Sequence, residues 1–173
     1  MLFINQFRRP WLDSLMILIT QTGGVWSALV FVLFLIWLGY RRQWVIAAAA
    51  AISFLGANAI NAMLKLIYER PRPDVLVPLV TVNSYSFPSG HTITAVALYG
   101  FMAYVFWQNS HRTLALFTIL WACLIAFSRI YLGVHYPSDV LGAIAVGGIW
   151  LAGVLMGMNY YLHKEASPPN AEA

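Results

Sequence analysis

Charged residues are scarce in this sequence: they make up 9% of its 173 residues, whereas 61% are hydrophobic. A soluble domain of ordinary composition carries about 25% charged residues, so this chain could not cover its surface in water. The composition therefore predicts a protein embedded in a bilayer. Cysteine is equally scarce, since Cys123 is the single one, and this excludes a disulfide framework and a cysteine-based zinc site.

Acidic residues are also few, six against ten lysines and arginines, and the formal net charge is +4. The basic residues stand singly or in pairs between long apolar runs, so they form no basic face of the size that binds nucleic acid. We therefore expect no nucleic-acid partner. We interpret the cations as topology signals on short loops together with anion-binding groups in one loop region.

Long apolar runs dominate the chain. A transmembrane helix needs about 20 mainly apolar residues, with a usual range of about 17 to 25. Five segments meet or approach that length, namely Gly24–Tyr40, Trp44–Leu64, Thr92–Trp107, Thr113–Phe127 and Val140–Leu162. The sequence therefore predicts an all-α, polytopic membrane bundle of about five transmembrane helices, which forms a single domain over residues 1–162.

The two ends of the chain differ from these spans. Residues 2–20 carry two arginines, Pro10 and Asp13 within apolar sequence, which favours a helix that lies in the interface or re-enters the bundle. A cleaved signal peptide is the alternative, but Asp13 and the direct continuation into the next apolar run argue against it. The polar tail, residues 163–173, is expected to be disordered.

Two polar loops, residues 65–90 and 128–138, should emerge on the same side of the bundle, because two crossings separate them. The opposite side receives the short basic connections and the tail, with Arg41, Arg42, His111, Arg112 and Lys164. Cations on short loops favour the cytoplasm. The two polar loops are therefore expected to face the outside or periplasm, although Arg8 and Arg9 oppose this assignment.

The first two residue clusters in these loops are ambiguous when each is taken alone. Lys65 by itself is better explained as a headgroup contact at a helix end, but the alternating prolines of Arg70–Pro73 hold two phosphate-binding guanidinium groups in a restricted geometry. Ser89 is a candidate N-cap, and Gly90 allows an anion to approach free N–H groups. An ordinary cap followed by an interfacial His91 explains this second cluster equally well.

The third cluster runs from Ser128 to Asp139. Pro137 suits the first turn of a helix, which places His135 just ahead of that helix and Asp139 one turn later. A carboxylate there can bind one ring nitrogen of His135 and leave the other as an outward lone pair. Asp139 alone is better explained as a helix cap. Together the three clusters place cations, two histidines and a carboxylate on one membrane face, which suits a tetrahedral oxyanion.

Three motifs thus occur in order: Lys65, six residues, Arg72 and Pro73; then Pro88, Ser89, Gly90 and His91; then Ser128, Arg129, five residues, His135, three residues and Asp139. This set resembles the signature of the type 2 phosphatidic acid phosphatases, a family that shares its site with bacterial acid phosphatases and vanadium haloperoxidases. The match has no departure over residues 65–139. The hydropathy outside that range agrees with it.

The resemblance implies a role for each motif residue. His135 would be the nucleophile and form a phosphohistidine, Asp139 would fix its tautomer, and His91 would protonate the leaving oxygen. The phosphate would be bound by Lys65, Arg72, Ser89, Gly90 and Arg129. No metal or other cofactor is implied, because fixed cations take that place. Arg70 lies outside the family's fixed positions and would act behind the site or on a headgroup.

A site at the membrane surface suits a phosphate whose tail stays in lipid. The resemblance points to hydrolysis of undecaprenyl diphosphate in the bacterial inner membrane, during cell-wall biogenesis, with phosphatidylglycerophosphate and phosphatidic acid as alternative substrates. Two other classes stay open: a lipid-to-lipid phosphotransferase, and a non-catalytic lipid-binding or transport protein. The sequence does not indicate an oligomeric state.

Overall fold

A computed structural model describes residues 6–74 and 77–166 of the protein. Within these ranges the chain is helical, with connecting loops and no strands. The six helices are α1 (Pro10–Gln21), α2 (Val25–Tyr40), α3 (Trp44–Tyr68), α4 (Gly90–Gln108), α5 (Arg112–Tyr131) and α6 (Pro137–Ala166). The all-α class predicted from the sequence is confirmed.

Helix α4 is the central element of the bundle, since it packs against α3, α5 and α6. Small residues such as Ala95 and Ala97 are fully buried and let the neighbouring backbones approach closely. The outer helices instead expose large apolar side chains, among them Leu33, Leu120 and Ile149. Such a surface is stable against lipid tails rather than against water.

Within the described part of the chain, three or four membrane crossings qualify by length and composition. Helices α3, α5 and α6 each qualify alone, and α1 with α2 would form a fourth span that bends by 48° at a short break. Helix α4 has 19 residues but has a lower mean hydropathy than these three helices. Many of its residues are buried against the other helices, so it needs little apolar surface toward lipid. The predicted count of five spans therefore remains a prediction.

The N-terminal end contains a helix, α1, where the sequence predicted one, whereas at the C-terminal end a helix extends into the predicted tail. Helix α1 begins at Pro10, a favourable residue for a first helical turn, and residues 1–5 lie outside the described part of the chain. Helix α6 continues to Ala166, so the first residues of the tail expected to be disordered are helical. His163 and Lys164 in its last turn suit the negative end of a helix dipole. The remaining tail, residues 167–173, is not described.

The two polar loops meet at one end of the bundle, as predicted. They are residues 69–89, between α3 and α4, and residues 132–136, between α5 and α6. The Leu79 N–H donates to the Leu132 carbonyl at 3.1 Å, and Arg72 Nη1 donates to the Val134 carbonyl at 2.7 Å. The two loops therefore form one surface.

The contact between α3 and α6 depends on the absence of a side chain at Gly56. A Cβ there would overlap ring carbons of Trp150, whose Nε1 donates to the Ser53 carbonyl at 3.0 Å. We expect Gly56→Ala to destabilise the bundle by about 1–3 kcal/mol through overpacking, measured as a lower thermal midpoint in detergent. Gly153→Ala is the matched control, because its Cβ would have no heavy atom within 4 Å. Equal midpoints for both variants would contradict this packing.

Candidate active site

The residues of the three motifs lie together at one end of the bundle, where the two polar loops meet. The N-terminus of α4 is tied to α6, because the Ser89 N–H donates to the Asp139 carbonyl at 3.2 Å. Ser89, Arg129, His135 and Asp139 are each no more than 2% exposed. Polar groups buried this deeply at one end of a membrane bundle are costly and indicate a functional site.

Asp139 accepts three hydrogen bonds in the cluster. Its Oδ2 accepts from Ser86 Oγ at 2.5 Å and from the Tyr136 N–H at 2.9 Å. Its Oδ1 accepts from Arg70 Nη1 at 2.8 Å. His135 Nδ1 lies 3.5 Å from Oδ2. These donors hold the carboxylate ionised and immobile beside the histidine.

Of the partners of Asp139, the sequence analysis had considered Arg70 but not Ser86. The expectation that Arg70 acts behind the site agrees with its contact, which reaches Asp139 and stacks over the Tyr136 ring at 4.3 Å. Sequence reasoning missed Ser86, which is fully buried. Its N–H donates to the Arg70 carbonyl at 2.8 Å. A serine three residues before a predicted N-cap gives no signal of such a role.

The tautomer of His135 follows from its neighbours. Arg72 Nη1 lies 3.2 Å from His135 Nε2, and arginine can only donate, so Nε2 must carry the lone pair. The ring proton is then on Nδ1, which faces Asp139 and has no closer partner among the described residues. The geometry thus leaves the lone pair of His135 on Nε2, where it faces the Arg72 guanidinium.

His135 is neutral at physiological pH in this environment. The pKa of His135 is lowered from 6.5 to about 4, chiefly by burial. The contact with Asp139 opposes this shift, and the nearby cations Arg72, Arg129 and Lys65 contribute to it. The lone pair on Nε2 is therefore available throughout the physiological range.

Arg72 and Lys65 bind backbone carbonyls of the long loop instead of carboxylates. Arg72 Nε donates to the Ser84 carbonyl at 2.7 Å, and Lys65 Nζ donates to the Tyr85 carbonyl. Burial lowers the pKa of Arg72, yet a guanidinium stays charged at neutral pH. Both cations thus keep their charge available to an anion.

Arg129 is a buried cation without an acidic partner. Its side chain is 2% exposed, and no carboxylate of the described residues pairs with it. Its Nη1 donates to Thr20 Oγ1 at 2.6 Å, and its Nε has no partner. Burying an unpaired charge is expensive, so this guanidinium is placed to receive an anion.

His91 lies against the break between α1 and α2. A Cβ at Gly24 would come within 2.5 Å of His91 Nε2, so the imidazole fits there only because residue 24 is glycine. The ring interacts electrostatically with Arg129 and His135. The sequence had assigned no role to Gly24, although a glycine pair after an apolar run is a signal for close approach.

The second motif differs in detail from its prediction. Ser89 occupies the N-cap position, but its side chain makes no capping bond, because its hydroxyl instead accepts from Thr92 Oγ1 at 3.0 Å. A Cβ at Gly90 would lie 3.1 Å from Asn61 Nδ2, so the glycine makes room for a side chain of α3. Asn61 is a further residue that the sequence did not indicate.

A cavity of about 680 Å³ opens beside this cluster. Its lining includes the cations Lys65, Arg70 and Arg72 together with the apolar side chains Ala62 and Leu66 of α3. Within residues 6–74 and 77–166, no three His, Cys, Asp or Glu side chains are grouped as ligands for a metal ion. The arrangement is able to bind an oxyanion beside a neutral imidazole.

Comparison with known proteins agrees with this geometry. Over 149 residues the chain is 36% identical to phosphatidylglycerophosphatase B of Bacillus subtilis. This alignment covers 81% of the chain and 72% of the relative. Over 140 residues it is 35% identical to undecaprenyl-diphosphatase BcrC of the same organism, with 78% and 69% covered.

Two crystal structures resemble the fold. A transmembrane PAP2-type phosphatidylglycerolphosphate phosphatase from Bacillus subtilis matches with a TM-score of 0.80 and 32% identity, over 89% of this chain and 79% of that one. Aquifex aeolicus LpxE matches with a TM-score of 0.74 and 27% identity, over 89% and 91%. The model of the PAP2 superfamily matches residues 43–162, which confirms the resemblance of the motifs. The chain therefore belongs to the PAP2 superfamily and is a membrane phosphatase.

Proposed function

We propose that the protein removes a phosphate from a lipid phosphate through a phosphohistidine at His135, with undecaprenyl diphosphate as the favoured substrate. The observation that carries this proposal is the buried Arg129 without a carboxylate partner beside a neutral imidazole. A cation so placed is stabilised by the anionic group that the site receives. The similarity to two lipid phosphatases supports the same reaction class.

The reaction follows from the tautomer. Nε2 of His135 attacks phosphorus, forming a P–N bond, while the bond from phosphorus to the leaving oxygen breaks. His91, which enters this step as an imidazolium beside the bound anion, donates its proton to that oxygen and becomes neutral. Asp139 stabilises the Nδ1–H of the ring. In the second step His91 accepts a proton from water, whose oxygen attacks phosphorus and releases inorganic phosphate and free His135.

The phosphoryl oxygens are bound by the motif cations and by the N-terminus of α4. Lys65, Arg72 and Arg129 supply positive charge, while Ser89 and the Gly90 N–H supply donors at the positive end of the helix. These groups stabilise the charge that spreads over the equatorial oxygens in the transition state. The reaction as proposed uses no metal.

The cavity supports a lipid substrate. Leu66 is 70% exposed on the outer face of α3 and also lines the cavity that holds Lys65 and Arg72. A phosphate headgroup bound to these cations would leave its tail beside the apolar side chain and within the bilayer. A soluble phosphate ester would not need this apolar side chain beside its phosphate-binding cations.

The charge of the site favours a diphosphate. Among the described residues of the cavity and the buried cluster, four cations (Lys65, Arg70, Arg72 and Arg129) accompany the carboxylate of Asp139. An excess of three positive charges suits a diphosphate better than a monoester. Phosphatidylglycerophosphate and phosphatidic acid are the alternative substrates. We place the reaction on the outer face of the bacterial inner membrane, because the basic connections occupy the opposite end of the bundle.

We expect the purified protein to release inorganic phosphate from undecaprenyl diphosphate in detergent with EDTA, faster than from phosphatidylglycerophosphate or phosphatidic acid. His135→Ala should lower the rate by about 10³-fold or more, because the nucleophile is lost. His111→Ala is the matched control at the opposite end of the bundle and should keep full activity.

Three results of this assay would contradict the proposal. Consumption of the lipid phosphate only when a lipid acceptor is added would identify a phosphotransferase. Absence of phosphate release from all three lipids would exclude the proposed hydrolase activity. Unchanged activity of the His135 variant would remove the phosphohistidine.

The protonation state of His135 is directly measurable. In the absence of phosphate, its imidazole should titrate near pH 4, so that it binds no proton between pH 6.5 and about 4, where an unfolded histidine would. Its contribution to stability therefore declines as the pH falls through that window. Nuclear magnetic resonance of labelled histidine in detergent, with His135→Ala for assignment, measures the midpoint. Asp139→Asn should shift it lower, because the carboxylate raises this pKa; a midpoint near 6.5 would refute the burial argument.

Gly24 should be required for catalysis through His91. A methyl group at position 24 would lie 2.5 Å from His91 Nε2 and displace the proton donor. Because misplacement by about 1 Å can cost about 10²-fold in rate, we expect Gly24→Ala to lower kcat by about that factor. Gly153→Ala should leave kcat unchanged. Wild-type kcat in a folded Gly24→Ala protein would place His91 outside the reaction.

A further inference from the structure

Arg129 is held by a residue from the N-terminal helix α1. Thr20 is 2% exposed, and its Oγ1 accepts from Arg129 Nη1 at 2.6 Å. Among the described residues this is the one hydrogen bond to that guanidinium, whose Nε has no partner. A single hydroxyl therefore fixes the orientation of a buried cation 109 positions further along the chain.

Helix α1 is anchored on both sides of this contact. Nearer its start, Tyr131 Oη donates to Asp13 Oδ1 at 2.6 Å. Just beyond its end, Trp121 Nε1 donates to Thr22 Oγ1 at 2.9 Å. Tyr131 and Trp121 both lie on α5, the helix that carries Arg129. The hydroxyl that accepts from the guanidinium is thus fixed relative to α5.

We propose that Thr20 is a positioning residue for Arg129, which it orients so that the remaining guanidinium N–H groups face the phosphoryl oxygens. The inference rests on the proposed function of Arg129 as a phosphate ligand. Helix α1 lies outside residues 43–162, the part of the chain that matches the family model. The site would therefore be completed by a segment that this match does not include.

A hydroxyl suits this task better than a carboxylate. An aspartate at position 20 would pair with Arg129, neutralise it and compete with the phosphate for its N–H groups. A threonine oxygen accepts one N–H and leaves the formal charge in place. The guanidinium is thereby oriented without losing its attraction for an anion.

The test compares two variants, of which one lacks the side-chain hydroxyl and the other keeps it. Thr20→Val keeps the volume and removes the acceptor, so kcat/KM should fall by about 10- to 100-fold, the worth of a hydrogen bond to a charged group. Vanadate, titrated in a thermal-shift assay in detergent, should bind more weakly by a similar factor. Thr20→Ser keeps the hydroxyl, so its kcat/KM and its vanadate affinity should be close to those of the wild type.

Thr118→Val is the matched control. Thr118 is buried on α5, and its hydroxyl donates to the Leu114 and Ala115 carbonyls of its own helix. The change should leave kcat/KM and vanadate affinity unaltered. A loss equal to that of the valine variant at position 20 would show that any buried threonine matters here, and would overturn the assignment.

A double-mutant comparison separates positioning from general stability. In an Arg129→Ala background the partner of Thr20 is gone, so Thr20→Val should cause no further loss of kcat/KM. Additive losses would mean that Thr20 acts independently of Arg129 and would refute the proposal. Should Thr20→Val not fold, Thr20→Ala and Thr20→Ser replace it, with loss expected in the first and retention in the second.

Failure of this inference is distinct from failure of the proposed function. Wild-type kcat/KM and vanadate affinity in Thr20→Val would refute the role of Thr20 and leave the phosphatase intact. A wild-type protein that releases no phosphate would refute the reaction. The vanadate titration would then still decide whether Thr20 orients Arg129, because it needs no turnover.

Discussion

The arrangement of this site depends on keeping positive charge buried at the end of a membrane bundle without neutralising it. A guanidinium in a low-dielectric environment ordinarily requires a carboxylate. Among the residues that the structure describes, however, Arg129 donates to the Thr20 hydroxyl alone, and Arg72 donates to loop carbonyls. Dipoles of this kind orient a cation and lower its cost, but leave its formal charge uncancelled. The electrostatic stabilisation that a carboxylate would have given the cation is therefore supplied by the anion when it binds.

The buried carboxylate of the site is used for a different purpose. Asp139 takes its hydrogen bonds from Ser86, Arg70 and the Tyr136 N–H, which leaves it in place beside His135 Nδ1. If Asp139 paired with Arg129 instead, both the free cation and the fixed tautomer would be lost. The division of charges, with Arg70 assigned to the carboxylate and the inner arginines to the ligand, therefore decides what the cluster can do.

Much of this was readable from the sequence because it depends on local order. Charge scarcity and apolar run length predicted the helical membrane bundle, and the three motifs named the residues that meet at its end. The parity of the spans predicted that the two polar loops lie together. Each of these predictions follows from composition or from a short stretch of sequence, so none of them requires knowledge of how distant segments pack.

The rest depends on contacts between distant segments. Thr20, Gly24 and Asn61 reach the site only because α1, α2 and α3 pack against it, and no periodicity announces a hydroxyl that meets an arginine on another helix. Helix α4 was predicted as a span from its length, but its buried position lowers its need for apolar residues. The helical continuation to Ala166 was missed because polar composition was read as disorder.

The central position of α4 also explains why the second motif is rigid. Ser53 Oγ donates to the Ala97 carbonyl at 2.9 Å, and Thr94 Oγ1 donates to Asn58 Oδ1 at 3.1 Å, so polar side chains fix α4 against α3 within the hydrocarbon layer. Hydrogen bonds between membrane helices contribute about 0.6–2 kcal/mol each. They set the axial position of α4, and with it the depth of the Ser89 hydroxyl and the Gly90 N–H relative to His135. In the proposed reaction the α4 terminus binds the anion at a fixed distance from His135, and the packing of α4 against α3 sets that distance.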